Sequence, residues 1–232
     1  FKDPDSLYEK IKLPYTVGLG KIFTEEEIKQ AKLSKSFERE YNLKFGLSEG
    51  NLFSYELVKK CVQEYDLKFQ GGQRILAIDP AYSSSKFAIV GIEKVDGVAY
   101  IKMAESFEFA SPTAMTSRIV LLSKDYPTVF VDSAGAGLVT DLKLKGVNPT
   151  AISFGKHLDE MTLNASRAVA ELNVRIHPAF SDLIADLQAV RYNQKGHPDK
   201  TQISFDLSDA FLMGMFGLKE NKIVSGLVMS DD

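Results

Sequence analysis

The chain has 232 residues, of which 44% are hydrophobic and 25% charged, and its formal net charge is −3. This length suits one large domain, or a domain with an appendage, and a core of that size needs no disulfide bonds. Cys61 is the single cysteine, so no disulfide within the chain points to an oxidising compartment. No apolar run reaches the roughly 18–20 residues that cross a bilayer, and the N-terminus lacks the apolar core of a signal peptide. The composition favours a soluble intracellular α/β protein and excludes disordered, collagen-like, secreted disulfide-rich and membrane classes.

Residues 1–72 are predicted to form helices and a linker. Thr24 and Glu27 have the spacing of a capping box, which predicts a helix start. Ser54 predicts a second helix that runs to about Asp66, and Gly71-Gly72 marks a boundary. The segment carries 12 basic and 12 acidic side chains, so it lacks the basic excess that nucleic-acid binding usually leaves.

From Arg74 onward, short apolar runs alternate with helical patterns. Strands are predicted at 75–78, 87–92, 98–107, 128–131 and 150–154, and helices from Ser111, over 138–145, 158–172 and 180–190, and from about Leu207. Asp96-Gly97 predicts a tight hairpin between the second and third strands. The later strands are joined by helices and therefore run parallel. The prediction is a mixed five-stranded α/β sheet with helices on both faces, followed by hairpin character around residues 196–198.

Two aspartates end strands at the point where the strand order of this sheet reverses. Asp79 follows the first strand and Asp132 the fourth, and ligands of such sheets bind at the carboxyl ends of the strands. Asp206 and Asp209 lie three residues apart at the start of the last helix, so they share one helical face. Oxygen ligands of this kind suit Mg²⁺ or Mn²⁺. Three or four carboxylates around two such ions are the arrangement used for phosphodiester hydrolysis.

Each aspartate also has a purely structural explanation. Asp79 before Pro80 can shape a turn, and Asp132 can cap the following helix. Asp206 can be an N-cap, and Asp209 can interact with the helix dipole. Taken together, two aspartates at strand ends and two at the start of the last helix are explained better by one shared site than by four separate structural roles.

These residues resemble the nuclease domain of viral large terminases, the DNA-packaging motor proteins of tailed phages. Five stretches carry the resemblance: Ser36–Tyr41, Gly50–Ser54, Ile78–Ala81, Val129–Gly135 and Asp206–Ala210. The first two are similar to the segment that leaves the family's ATPase domain, and the others to its metal-binding motifs.

The resemblance implies a ribonuclease H-like fold over residues 73–232, preceded by a linker and helical segment over residues 1–72. It implies that Asp79, Asp132 and Asp209 are catalytic and bind two Mg²⁺ or Mn²⁺ ions. Asp206 is an auxiliary ligand, because some family members carry histidine at that position. The implied activity is metal-dependent cutting of concatemeric double-stranded viral DNA in the host cell cytoplasm. The implied partners are the ATPase domain, the portal protein and the small terminase subunit, with no membrane. The family's ATPase domain is not part of the sequence, which begins with Phe1 rather than methionine, as expected for a piece of a longer protein.

Three other functions stay open at the level of sequence. The chain could be another ribonuclease H-like nuclease, acting on DNA junctions or RNA–DNA hybrids. It could be a phosphotransferase related to actin or sugar kinases, although residues 80–84 lack the glycine and threonine which that family places after its first aspartate. It could also be a motor module that holds DNA without cutting it.

Overall fold

The computed structural model describes residues 15–31, 50–81, 86–109, 111–192 and 206–224. The chain divides into two compact units, residues 1–49 and 50–232. In the first unit, a 3-10 helix at Tyr15–Val17 precedes helix α1 (Glu25–Ala31). The predicted capping box of α1 is confirmed, since Thr24 N donates to Glu27 Oε2 at 2.8 Å and Glu27 N donates to Thr24 Oγ1 at 3.2 Å. The predicted hairpin around residues 196–198 and the family-like stretch at 36–41 lie outside the described residues.

The second unit contains one mixed sheet with helices on both faces. Its elements in chain order are α2 (Tyr55–Cys61), β1 (Gln73–Asp79), β2 (Phe87–Val95), β3 (Val98–Phe107), α3 (Pro112–Leu122), β4 (Thr128–Asp132), α4 (Ala136–Leu144), β5 (Thr150–Ile152), α5 (Phe154–Ala170), β6 (Val174–Arg175), α6 (Ser181–Ala189) and α7 (Asp206–Val224). A 3-10 helix at Ser133–Gly135 joins β4 to α4. Within the described ranges, no helix combines the length and the apolar character that crossing a membrane demands.

The strand order is β5-β4-β1-β2-β3-β6. β1, β2 and β3 pair antiparallel in sequence order, and β4 and β5 extend the sheet in parallel on the other side of β1. The predicted hairpin between β2 and β3 turns at Asp96 and Gly97, whose φ angles are 48° and 85°. These positive angles explain why the turn uses an aspartate followed by a glycine.

Two sequence predictions about this unit are wrong in detail. The sheet has six strands in the described part of the chain rather than five, because the short β6 pairs parallel with the start of β3. A two-residue strand has no periodicity of its own, and only its pairing partner defines it. Helix α2 ends at Cys61 rather than near Asp66, because Val62 adopts an extended backbone and forms a bridge with Ile176.

Residues 50–72 belong to the same compact unit as the sheet, although the sequence prediction grouped them with the preceding segment. A buried ion pair of the sheet anchors residues 66–72. Lys102 Nζ lies 3.3 Å from Glu93 Oε2, and both side chains are essentially inaccessible to solvent. Glu93 also accepts hydrogen bonds from the amides of Gln70 and Gly72, while Lys102 donates to the carbonyls of Asp66 and Lys68. The division into a linker and a nuclease domain at residue 72 stays a prediction.

The core lies on both faces of the sheet, and β1 contributes to both. Ile75 and Ala77 pack in the cluster that contains α2, α5, α6 and α7, whereas Leu76 and Ile78 pack in the cluster that contains α3 and α4. A central strand covered on both faces must be apolar at every position. This is why the sequence of β1 shows a continuous apolar run.

Candidate active site

Asp79 and Asp132 end two adjacent parallel strands of the sheet, β1 and β4. Residues 75–78 of β1 pair in parallel with residues 128–131 of β4, so Asp79 and Asp132 each follow the last pair of the register, Ile78 with Val131. Side chains alternate between the faces of a strand. Asp79 therefore lies on the same face of the sheet as Ala77, and Asp132 on the same face as Phe130. Ala77 and Phe130 both pack in the core cluster that contains α7, so the two aspartates lie on one face. The predicted convergence of these two strand ends is confirmed.

Helix α7 lies across that same face. Every described side chain from Asp206 to Leu218 is buried, so the helix is surrounded by the sheet on one side and by α5 and α6 on the other. Two glycines allow the close approach. A Cβ atom at Gly214 would lie 2.6 Å from Ile92 Cδ1 and 3.4 Å from Ala77 Cβ, and one at Gly217 would lie 2.2 Å from the Phe130 ring.

The start of α7 lies at the carboxyl edge of β1. Asp206 Oδ2 accepts a hydrogen bond from Lys86 N at 3.0 Å, and Lys86 lies two residues before Ala88, which pairs with Asp79. Asp209 follows Asp206 by three residues on the same helical turn, so α7 begins at the edge that carries Asp79 and Asp132, with Asp206 placed there by its contact with Lys86.

The connection after β4 is packed tightly against the end of β1. A Cβ atom at Gly135 would lie 2.3 Å from Pro80 Cγ, so only glycine allows this approach. Asp132 accepts a hydrogen bond from Ala134 N at 3.3 Å and caps the short 3-10 helix. The structural explanation of Asp132 therefore holds, but one long hydrogen bond leaves the carboxylate oxygens with further capacity to accept.

Sequence reasoning missed a fifth carboxylate, Asp186 of α6. Burial raises its pKa to about 6, and the charge of Asp206 adds to this rise, while hydrogen bonds from the amides of Leu207 and Ser208 oppose it. One feature of the sequence could have marked Asp186 as a functional candidate. Asp186 lies on the buried stripe formed by Leu183, Leu187 and Val190, where an apolar side chain is expected.

The donor set suits a hard divalent cation, because four carboxylates supply only oxygen ligands. Within the described part of the chain, however, no three His, Cys, Asp or Glu side chains are grouped closely enough to hold a metal ion as they stand. Asp79, Asp206 and Asp209 each have interactions of their own in this arrangement. The backbone thus brings the ligand candidates to one edge, and their assignment as metal ligands stays a prediction.

The fold and this edge define the class: an α/β protein whose mixed sheet carries acidic residues at the carboxyl ends of two adjacent parallel strands. Among solved structures, the chain is similar to the large terminase from a thermophilic bacteriophage, with 12% identity and a TM-score of 0.65 over 88% of this chain and 54% of that one. It is also similar to the large terminase nuclease of another thermophilic phage, G20c, with 14% identity and a TM-score of 0.59 over 71% of this chain and 97% of that one. Structures of the G20c nuclease with bound magnesium, cobalt and zinc match as well. No protein-family model and no curated protein matches the sequence.

The chain has the fold of phage large terminase nucleases. This confirms the ribonuclease H-like α/β fold expected from the sequence, with six strands in place of five. The chain spans about half the length of the first of these proteins, the large terminase that it matches with a TM-score of 0.65. Since the identities are 12–14%, the likeness concerns the fold, and the activity has to be argued from the site.

Proposed function

We propose that this chain is the endonuclease domain of a large terminase and cuts concatemeric double-stranded viral DNA with two Mg²⁺ or Mn²⁺ ions. The observation that carries the proposal is the register of β1 and β4. It brings Asp79 and Asp132 to one edge and one face of the sheet, where α7 begins with Asp206 and Asp209. The similarity to terminase nucleases, one of them with magnesium, cobalt or zinc bound, supports the same conclusion.

In this proposal Asp79, Asp132 and Asp209 are the metal ligands and Asp206 is an auxiliary ligand. Asp206 Oδ2 accepts a hydrogen bond from Lys86 N. Binding requires the carboxylates to turn toward one another from their present positions. Bound divalent cations would supply the activation of water and the charge stabilisation that phosphodiester hydrolysis needs. The burial of α7 and the close contact between Gly135 and Pro80 restrict backbone movement at these two points of the site.

The charge of the chain fits a domain that depends on a larger assembly. With a net charge of −3, the isolated domain should bind DNA weakly, because it neutralises few phosphates and so releases few counterions. The proposed partners that hold the DNA are the terminase ATPase domain, the portal protein and the small terminase subunit. The proposed location is the host cell cytoplasm.

The test is cleavage of supercoiled plasmid in the presence of Mn²⁺, Mg²⁺ or EDTA, with Asp132→Asn as the site variant. Removing this charge should lower the cleavage rate by about a hundredfold or more, since removal of one transition-state-stabilising group typically has such an effect. Asp141→Asn is the matched control, because Asp141 is an exposed aspartate on the helix that follows the site. It should cut like the wild type.

Metal-dependent cutting that is lost only in Asp132→Asn supports the proposed function. Equal cutting by the wild type and by Asp132→Asn would refute the assignment of the site. If the wild type binds DNA but does not cut it with any metal, the chain is a module that holds DNA. Faster cutting of junctions or RNA–DNA hybrids than of duplex DNA would instead indicate another ribonuclease H-like nuclease.

A further inference from the structure

The turn that follows β3 holds an aromatic residue in a strained and exposed position. Phe109 has a φ angle of 51°, in the left-handed region that a bulky side chain rarely adopts. It is 84% exposed, which makes it the most exposed large apolar residue in the described part of the chain. The backbone conformation and the exposure of the ring both cost free energy, so the stability of the fold does not explain a phenylalanine here.

Two other non-glycine residues of the described chain have positive φ angles, and each has a structural explanation. Asp96, with a φ of 48°, forms the hairpin turn between β2 and β3, and aspartate tolerates this region. Leu172, with a φ of 55°, packs against the core cluster that contains α7. Phe109 has neither explanation. Backbone strain of this kind is concentrated at functional sites.

Phe109 lies at the edge of the sheet that carries the candidate site. Asp79 of β1 pairs with Ala88 of β2, and Ala88 pairs with Ser106 of β3. Ser106 is therefore level with Asp79 at two strand spacings, about 10 Å, and Phe109 follows three residues later. Three residues span at most about 11 Å, so the Cα atoms of Asp79 and Phe109 lie no more than about 20 Å apart. This equals about six steps of a DNA strand, so a duplex with a phosphate at Asp79 is long enough to reach Phe109.

Two contacts join this turn to the start of α7. Lys86 N donates a hydrogen bond to Asp206 Oδ2 at 3.0 Å, and Lys86 Nζ lies 3.2 Å from Glu108 Oε1. Glu108 immediately precedes Phe109. The Lys86 ammonium also balances the charge of Glu108, so a DNA strand that approaches the ring meets a paired carboxylate.

We propose that Phe109 contacts the bases of the DNA substrate and supplies binding that this acidic chain does not obtain from phosphates. The proposal rests on the proposed function, because it takes DNA as the substrate. An aromatic ring stacks on bases of any sequence, and phenylalanine side chains also insert between base steps of duplex DNA. Neither contact requires a basic surface, which agrees with the net charge of −3.

The first readout is the binding of a short, fluorescently labelled DNA duplex to this chain in EDTA and at low salt, which needs no nuclease activity. Phe109→Ala removes the ring, whereas Phe109→Trp keeps an aromatic surface. Leu144→Ala is the matched control, since Leu144 is 80% exposed. It ends α4, and the next strand, β5, is parallel to β4 and therefore begins at the opposite edge of the sheet.

We expect the Kd to rise about tenfold in Phe109→Ala, as the loss of one base stack implies. The slope of log Kd against log salt should stay the same, because no phosphate contact is lost. Phe109→Trp and Leu144→Ala should bind like the wild type. An unchanged Kd in Phe109→Ala would overturn the proposal and indicate that the ring faces a protein partner instead. A weaker salt dependence in Phe109→Ala would also overturn it.

Phe109→Gly separates DNA binding from folding. Glycine adopts positive φ angles without strain, so the melting temperature should rise by roughly 2–4 °C. The Kd for DNA should nevertheless rise as it does in Phe109→Ala. A lower melting temperature in Phe109→Gly would show that the ring stabilises the fold, and this would overturn the proposal.

The second readout is plasmid cleavage with Mn²⁺, which separates this proposal from the proposed function. KM should rise about tenfold in Phe109→Ala, because the lost contact binds substrate and transition state alike. Cleavage that requires Asp132 but has an unchanged KM in Phe109→Ala would overturn the role of Phe109 alone. If DNA binding depends on Phe109 but the wild type cuts with no metal, the proposed function is overturned and the DNA contact stands.

Discussion

Replacing Gly217 by alanine should destabilise the protein, although alanine is the better helix former. A Cβ atom at this position would lie 2.2, 2.6 and 2.9 Å from three carbons of the Phe130 ring, whereas carbon atoms pack at about 3.5–4.0 Å. The ring cannot move away easily, because Phe130 is 3% exposed and its strand lies between β1 and β5. The helix or the ring must therefore shift.

Two opposing effects set the magnitude. Alanine stabilises a helix interior by about 1 kcal/mol relative to glycine, while forcing extra volume into a packed core costs about 1–3 kcal/mol. Because the contact involves a confined aromatic ring, we expect the upper part of the packing cost and a net loss on the order of 1–2 kcal/mol. For a chain of this size, the melting temperature should fall by roughly 2–8 °C.

The assay is thermal and urea unfolding followed by circular dichroism, with Gly137→Ala as the matched control. Gly137 is also a helical glycine, on α4, but a Cβ atom there would meet no atom within 4 Å. Gly137→Ala should be neutral or stabilising by up to about 1 kcal/mol. If Gly217→Ala were as stable as the wild type or more so, the close packing of α7 on the sheet would be refuted.

Two further predictions concern buried polar groups. Burial raises the pKa of Glu93, but hydrogen bonds from Gly72, Gln70 and Lys102 outweigh it, so the pKa lies below its ordinary value of 4.5. The stabilisation by Glu93 is therefore present above pH 4.5 and is lost as the pH falls below it. Glu93→Gln removes the charged partner of the buried Lys102 ammonium and should cost about 3–5 kcal/mol at pH 7. The difference from the wild type in urea unfolding should shrink toward pH 3, and an equal difference at both pH values would contradict this assignment. Ser208→Ala should be neutral or stabilising, because the buried Ser208 hydroxyl has no hydrogen-bond partner within the described structure and such a group costs about 1–3 kcal/mol. A loss of unfolding free energy in urea would show that this hydroxyl has a partner.

The sequence predicted those features that local chemistry specifies. The continuous apolar run of β1 indicates a strand covered on both faces, and the hairpin at Asp96 and Gly97 follows from the positive φ angles that these residues tolerate. The order of strands and helices then predicts that β1 and β4 are parallel neighbours, so that Asp79 and Asp132 end side by side. These inferences need only the chemistry of consecutive residues and the rules of chain connection.

Only the tertiary structure decided how distant segments meet. Nothing local in the sequence marks β6, which exists because β3 offers it a pairing edge, or the end of α2, where Val62 pairs with Ile176. The pKa of Asp186 is raised because folding buries this carboxyl, and Gly217 is required because the Phe130 ring lies opposite it. Hydrogen bonds and packing between residues far apart in the chain depend on their spatial arrangement, and sequence periodicity describes only one element at a time.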